Sequence, residues 1–196
     1  SASIIKSANV GDVVRDRANL SVGVPEPSGT VTFDLFGNLT CTGSLVSSEI
    51  VAVLNFAAIS STTNMPASGL SYLAHYSGDG NYSSADGPCE PLYPPPTVTT
   101  DIHDELHNIL TGAPVGTIIH DHVQVSGLGP IPTGQVKVSV YTEPSCADSF
   151  FDVFFNVTLD AIGSGETSIT NMLITGRSFK AHYEGDSIYM PVDGAC

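Results

Sequence analysis

A tandem repeat constrains this chain more than any other feature, because a repeat marks where structural units begin and end. Matching residues recur at a constant offset of 105, from Val10-Gly11 and Val115-Gly116 to Cys41 and Cys146. Later matches, such as Tyr82 and Tyr189, have an offset of 107. The two-residue insertion between them is typical of a surface loop. The 196 residues therefore predict two similar domains, each of about 100 residues, the commonest domain size.

Within each unit the apolar residues alternate with a period of two, which is the pattern of half-buried strands. The matched core positions are Val31, Phe33 and Leu35 with Val136, Val138 and Val140; Tyr72, Ala74 and Tyr76 with Phe179, Ala181 and Tyr183; and Ala18, Leu20 and Val22 with Val123 and Val125. The second unit adds Val153, Phe155, Val157 and Leu159. Gly and Pro, 19 and 13 in number, punctuate these short segments. The pattern predicts an all-β chain of two tandem immunoglobulin-like antiparallel β-sandwiches, with a closed barrel as the alternative.

The domain limits follow from a proline-rich stretch between the units. Residues 91–96 include three consecutive prolines, which favour a stiff, extended linker. We therefore expect domain 1 at residues 1–90 and domain 2 at residues 97–196. The segment Thr97–Glu105 precedes the part of domain 2 that matches Ser1, so domain 1 is expected to lack this opening strand and to have an open sheet edge.

The four cysteines are divided equally between the units, with separations of 48 and 50 residues. Of the three connectivities, only Cys41 with Cys89 and Cys146 with Cys196 preserves the repeat. Closing a loop of this length stabilises a domain by about 4 kcal/mol in the chain-entropy model. Paired cysteines predict an extracellular or cell-surface location, and four buried free thiols are the alternative.

The charge excludes two classes of partner. The net charge is -14, and the six basic residues form no cluster, so we expect no binding to nucleic acid or anionic lipid. No segment approaches the run of about 20 apolar residues that spans a bilayer, so no membrane insertion within this chain is expected.

Two motifs carry a family resemblance. Pro132-Thr133-Gly134-Gln135-Val136 and Tyr183-Glu184-Gly185-Asp186 occur in the same order as Pro27-Ser28-Gly29-Thr30-Val31 and Tyr76-Ser77-Gly78-Asp79. The chain resembles bacterial Ig-like repeat domains, in which a Pro-Thr-Gly-x-Val strand opening and a Tyr-x-Gly-Asp turn recur in long surface arrays. The resemblance implies surface or adhesin-stalk architecture and no catalytic residues. Calcium binding by the turn aspartates is an alternative to a purely structural turn.

The histidines offer the only pattern reminiscent of catalysis. His103 and His107 stand four apart, as in a zinc-protease helix, but Asp104 replaces the required Glu and the preceding residues favour a strand. We interpret this segment as a surface strand and turn. His120 and His122 share the outer face of a predicted strand, where a weak metal site is conceivable. The overall prediction is no enzyme, no catalytic residue and no metal site.

Four Asn-x-Ser/Thr sequons begin at Asn19, Asn38, Asn81 and Asn156, and these are candidate glycosylation sites. The predicted function is a structural module of an extracellular surface protein or fibre that stacks end to end, with strand complementation between subunits. Its partners would be neighbouring copies or adjacent repeats. A glycan-binding adhesin pair is the alternative, although most aromatic residues are predicted in the core or in turns, which leaves few for sugar stacking.

Overall fold

A computed structural model describes residues 4–21 and 23–196, so the core prediction for Val22 lies outside the described residues. The described chain is all-β with antiparallel sheets, and its only helical element is a 3₁₀ turn at Asp148–Phe150. It divides into two compact units, Ser1–Pro94 and Pro95–Cys196, named unit 1 and unit 2 below. No helix within residues 4–21 and 23–196 is long and apolar enough to cross a membrane.

The described residues of unit 1 form nine short strands. They are β1 (Val13–Val14), β2 (Arg17–Asn19), β3 (Thr30–Phe36), β4 (Leu45–Ala52), β5 (Ala57–Ile59), β6 (Thr63–Asn64), β7 (Leu70–Tyr76), β8 (Ala85–Asp86) and β9 (Glu90–Leu92). The largest sheet has the order β4-β3-β7-β8, and β9 also pairs with β7. Two further pairs, β1 with β6 and β2 with β5, complete the unit.

Unit 2 contains eight strands. They are β10 (Thr97–Asp104), β11 (Ile118–Ser126), β12 (Gln135–Tyr141), β13 (Phe151–Thr158), β14 (Ser164–Glu166), β15 (Thr170–Asn171), β16 (Ser178–Tyr183) and β17 (Val192–Asp193). One sheet has the order β10-β11-β14, with β15 also pairing with β11, and the other has the order β13-β12-β16-β17.

The core follows the predicted alternation along the central strands. Val31, Phe33 and Leu35 of β3 are buried, and so are the matching valines of β12. In unit 1, Val14 and Ala58 from the two small sheets join the β3 and β7 side chains in one apolar cluster. The edge strand β13 departs from the prediction.

Only the end of the β13 segment is buried, at Val157 and Leu159. Val153 is 39% exposed, and Phe155 is half-buried. Both had been predicted in the core because β13 alternates correctly. Alternation shows which residues share a face, but it does not show how deeply a strand is buried, and β13 is the outermost strand of its sheet with a neighbour on one side only.

Both disulfides join the cysteines paired by the repeat. Cys41–Cys89 and Cys146–Cys196 have Cα–Cα distances of 5.8 and 6.0 Å, within the normal range for a disulfide. Each bridge links the loop after the first strand of a large sheet to a segment that follows its last repeated strand. The described cysteines include no free thiol.

The predicted linker begins inside unit 1. Pro91 and Leu92 belong to β9, which pairs with Leu70–Tyr72 of β7. Tyr93 forms a bridge with Ser7, and the two units divide between Pro94 and Pro95.

The turn motif that is repeated in the two units has the same structural explanation in both. In unit 1, Oδ2 of Asp79 accepts from the Ser28 backbone N–H at 2.7 Å, and Oδ1 accepts from the N–H groups of Asn81 and Tyr82. Asp186 makes the same contacts in unit 2, with Thr133 in place of Ser28. These hydrogen bonds hold the pKa of Asp79 well below its usual range, and the bond from Ser28 has the largest effect. The turn aspartates thus tie the end of β7 or β16 to the start of β3 or β12.

Candidate functional site

A cluster of histidines lies on the outer face of one sheet of unit 2. His103 of β10 and His120 of β11 are direct cross-strand partners, and β14 pairs on the other side of β11 so that Glu166 lies opposite His122. Residues alternate across a strand, so Ile119 and Val123 point into the core while His120 and His122 point outward. The antiparallel register alone therefore places three imidazoles on one face.

A tight turn after β10 adds His107 to this face. The Asp104 carboxylate accepts hydrogen bonds from the backbone N–H groups of Leu106 and Asn108, both at 2.9 Å. His107 has φ 60°, a left-handed conformation that reverses the chain, and its own N–H donates to the Asp104 carbonyl at 3.0 Å. The returning chain then bridges Ile109 to His103. His107 is thereby held over the strand that it leaves.

The side chains of His103, His107, His120 and Glu166 converge, and we call them the histidine cluster. One potential ligand atom from each lies within 4.8 Å of the others. Oε1 of Glu166 is 3.0 Å from Nδ1 of His107 and 3.7 Å from Nε2 of His120. The rings of His107 and His120 have centroids 5.0 Å apart.

Two buried nitrogens of the cluster lack hydrogen bonds. Within the described chain, neither Nδ1 of His103 nor Nε2 of His120 has a hydrogen-bond partner. His103 is only 9% exposed, and the His120 side chain only 6%. Burying a polar nitrogen without a partner costs free energy, so this arrangement requires an explanation. Burial, with the neighbouring His122 and His120, lowers the pKa of His103 and favours its neutral form.

His122 supports the cluster from the side. Its Nε2 is 2.7 Å from Oγ of Ser164, and its ring stacks on that of His103 with centroids 5.2 Å apart and planes only 6° from parallel. A ring nitrogen already engaged with a hydroxyl is poorly placed as a ligand. His122 instead limits the rotation of the His103 ring.

The sequence interpretation was correct in part. His103 does lie in a strand and His107 in a turn, and His120 and His122 do share an outer face. No metal site was predicted, because Asp104 replaces the Glu of the zinc motif and because unit 1 has Arg15 and Arg17 at the positions of His120 and His122. Glu166 belongs to no motif. The signal that could have joined the two histidine pairs is the β10–β11 register, which sets His103 beside His120.

Unit 1 has a different set of residues at the corresponding positions. The repeat offset of 105 equates His120 with Arg15 and His122 with Arg17. The pair His122–Glu166 of β11 and β14 corresponds to Arg17–Ile59 of β2 and β5. Cationic and aliphatic side chains replace imidazole and carboxylate, so the histidine cluster is a property of unit 2.

Unit 1 has an open groove where unit 2 has β10. The groove has a volume of about 500 Å³ and is lined by β2 with its flanking residues 16–21, by Ala74 and Tyr76 of β7, and by residues 85–88 after the turn. In unit 2 the equivalent strands β11, β16 and β17 all contact β10. Within the described part of unit 1, no strand pairs with the groove side of β2.

Specific contacts support this equivalence. Gly194 follows β17, and a Cβ there would meet Val98 of β10 at 3.2 Å. Its counterpart Gly87 lines the groove of unit 1. In the β10–β11 register, Val98, Thr100 and Ile102 lie opposite Val125, Val123 and Asp121. The corresponding positions along unit 1 are Leu20, Ala18 and Asp16, all of which line the groove.

An acidic residue occurs at the same place in both units. Asp121 is completely buried, with both carboxylate oxygens unpaired among the described residues. Burial, with a contribution from the Asp101 charge, raises its pKa to about 8. Asp16 is only half-buried at the groove, and its pKa is raised in the same direction, chiefly by burial. In both units the backbone N–H of this residue donates to a hydroxyl, that of Ser60 or Thr167, at 2.9 Å.

The four sequon asparagines lie at the surface to different degrees. Asn19, Asn81 and Asn156 are exposed, and Asn38 is half-buried. Asn38 donates through Nδ2 to the Thr42 carbonyl at 2.7 Å, so the nitrogen that would carry a glycan is already engaged. The three exposed sites offer the better acceptors.

Aromatic side chains are more exposed than the sequence suggested. Phe150 and Phe151 are 48% exposed, and Phe154 is 46% exposed. Nζ of Lys137 lies 4.3 Å from the centre of the Phe154 ring, a cation–π contact. These residues lie at and beside the edge strand β13, whereas most aromatic residues had been expected in the core or in turns.

No family model, curated protein sequence or solved structure matches this chain. The functional argument therefore depends on the residues described above.

Proposed function

We propose that each unit is an immunoglobulin-like β-sandwich and that the protein is a structural module of an extracellular surface protein or fibre. Neighbouring subunits would be joined by strand complementation. The observation that carries the proposal is the groove of unit 1, which occupies the position that β10 fills in unit 2. An unpaired strand edge above an apolar groove is the usual receptor for an added strand.

The proposed occupant is an extended segment of a neighbouring subunit with the alternation of β10. Its inward residues would correspond to Val98, Thr100 and Ile102, which in unit 2 face the sheet opposite β16 and β17. The residue equivalent to Val98 would rest against Gly87, where the absence of a side chain leaves space. Backbone hydrogen bonds to β2 would supply affinity, and the alternating side chains would supply register.

The rest of the molecule suits a structural role. Each unit is closed by its own disulfide and by a turn aspartate that ties two strands together. Disulfides persist in oxidising compartments, which supports an extracellular location. A contact between unlike surfaces, such as a strand and a groove, propagates without closing and so produces a filament.

A synthetic peptide with the sequence Thr97–Asp104 tests the groove. We expect it to bind the full chain with a stoichiometry of one, at unit 1, and to raise the thermal midpoint of unfolding. A peptide with Asp at the positions of Val98 and Ile102 should not bind, because a carboxylate would be buried. Equal binding of both peptides, or of neither, would contradict the proposal.

The protein itself offers a matched pair of variants. Gly87→Leu should fill the groove and abolish peptide binding, since a Cβ there meets only ordinary contacts with Ala74. Gly80→Leu adds the same side chain where a Cβ has open space around it, and should leave binding unchanged. Negative-stain images and solution scattering of the unmodified chain should show elongated assemblies that excess peptide shortens. Compact monomers alone would rule out the fibre.

Glycosylation is part of the proposal and has a simple test. The three exposed sequons are accessible to a transferase in a secreted protein. The intact mass of native material should exceed the 20.4 kDa of the bare chain. A mass equal to that of the bare chain would remove this element of the proposal.

A glycan-binding adhesin is the second candidate function, and the exposed phenylalanines beside β13 favour it. Aromatic rings stack on sugars, and Phe150, Phe151 and Phe154 are each about half exposed. A glycan array distinguishes the two candidates. Binding that is lost in Phe154→Ala would indicate an adhesin, whereas no binding together with filament formation would support the scaffold.

A further inference from the structure

We propose that the histidine cluster of unit 2 binds one Zn²⁺ ion through His103, His107, His120 and Glu166. This inference is independent of the fibre, because all four residues lie in unit 2 and none lines the groove of unit 1.

The donor set fits zinc. Three imidazoles and one carboxylate supply neutral nitrogen and anionic oxygen, both of which are common zinc ligands, and four protein ligands satisfy tetrahedral coordination. Calcium and magnesium prefer oxygen ligands and would leave the imidazoles unused. A site closed by four protein side chains is of the structural kind, without an open position for a substrate.

The spacing of the ligand atoms is close to that of a tetrahedral site. With zinc–ligand distances of about 2.0–2.2 Å, tetrahedral ligand atoms are about 3.3–3.6 Å apart. Two of the Glu166 distances, 3.0 Å to His107 and 3.7 Å to His120, already lie near this range. No two ligand atoms of the set are more than 4.8 Å apart, so contraction by about 1 Å would complete the site.

His107 and Glu166 are the residues whose side chains must rotate to complete the site, and both are free to rotate. The side chains of His107 and Glu166 are 60% and 40% exposed, so their rotation displaces no core residue. His103 and His120 are held by the β10–β11 register and by the stacked His122 ring. The site thus combines two rigid ligands with two adjustable ones.

Unpaired nitrogens provide an independent reason for a ligand. Nδ1 of His103 and Nε2 of His120 are buried, yet neither makes a hydrogen bond within the described chain. A zinc ion would satisfy a buried imidazole nitrogen that makes no hydrogen bond with the described residues. It would also link the turn that carries His107 to β10, β11 and β14, which bury little apolar surface on this face.

The experiment is a zinc titration of the full chain after treatment with EDTA, followed by competition with a chromophoric chelator. We expect one zinc ion per chain and a higher thermal midpoint of unfolding. His120→Ala and Glu166→Gln should each weaken binding at least about tenfold. His182→Ala is the control, because His182 pairs with Asp193 at 2.6 Å outside the cluster.

Co²⁺ provides a readout that does not depend on stability. Substitution of Co²⁺ should produce the visible absorption of a tetrahedral ion, and Glu166→Gln, which changes an exposed residue, should alter that spectrum in a folded protein. Absence of stoichiometric binding would overturn the proposal. So would binding that persists unchanged in His120→Ala but falls in His182→Ala, which would assign the metal to surface histidines.

Discussion

The two units use the same repeated residues but differ at one strand. In unit 2, β11 runs unbroken from Ile118 to Ser126, with β10 on one edge and β14 and β15 on the other. In unit 1 the equivalent stretch is divided into β1 and β2, which among the described residues pair with β6 and β5 alone. In unit 2, β10 pairs with β11 from Ile119 to Ser126 and so spans the gap between β15 and β14, whereas no described strand of unit 1 does the same.

The same difference decides which surfaces each unit exposes. β10 pairs with one edge of β11 in unit 2, where Ile102 lies opposite the buried Asp121 and His103 adds an imidazole to the outer face. Without an equivalent among its described residues, unit 1 keeps a groove and leaves Asp16 half-buried. One strand thus distinguishes the open edge of unit 1 from the paired edge of unit 2, which carries the histidine cluster.

The buried aspartates should provide the largest measurable difference. The pKa of Asp121 is raised to about 8, so its contribution to the free energy of unfolding is present below pH 4 and is lost as pH rises through 8. The loss is on the order of 5 kcal/mol. In EDTA, Asp121→Asn should remove most of this pH dependence from urea midpoints, and Asp16→Asn should remove less. Equal effects of the two substitutions would contradict the assigned difference in burial.

Disulfide removal should affect both units alike. Double substitution to Ser at Cys41 and Cys89, or at Cys146 and Cys196, should cost about 4 kcal/mol in the corresponding unit, because the closed loops are nearly equal in length. Denaturant unfolding followed separately in each unit measures this. A much smaller loss in one unit would show that its reduced state retains structure.

A covalently supplied strand should make unit 1 resemble unit 2. Fusing the Thr97–Asp104 sequence ahead of residue 1 through a flexible linker should raise the free energy of unfolding of unit 1 by about 2 kcal/mol, from burial of its Val and Ile side chains. The same fusion with Asp at the positions of Val98 and Ile102 is the control. The idea fails if the two fusions are equally stable.

The difference in strand pairing between the two units should also be measurable as a difference in amide hydrogen-exchange rates. Residues 121–125 are flanked on both edges and should exchange at least about tenfold more slowly than residues 16–20, which corresponds to about 1.4 kcal/mol. Adding the β10 peptide should reduce the difference. Similar protection in both units without peptide would mean that the open edge of β2 is already covered.

The histidine cluster could be predicted only in part from the sequence. The outer-face position of His120 and the strand position of His103 followed from alternation, since a strand has only two faces. Their meeting depends on the register between strands, which alternation does not specify. Glu166 joined them because β14 pairs with β11 on the side away from β10, and no local pattern around Glu166 indicates this.

By itself, the sequence determined the two-unit organisation, the antiparallel strands, the central core residues and the cysteine pairing. These features follow from local periodicity and from a repeat that restricts both units to one solution. The tertiary structure decided the rest: which histidines converge, how deeply Asp121 is buried, that β13 leaves Phe151 and Phe154 exposed, and that unit 1 has a groove beside β2. These properties arise from contacts between residues distant in sequence, where strand order and register govern the outcome.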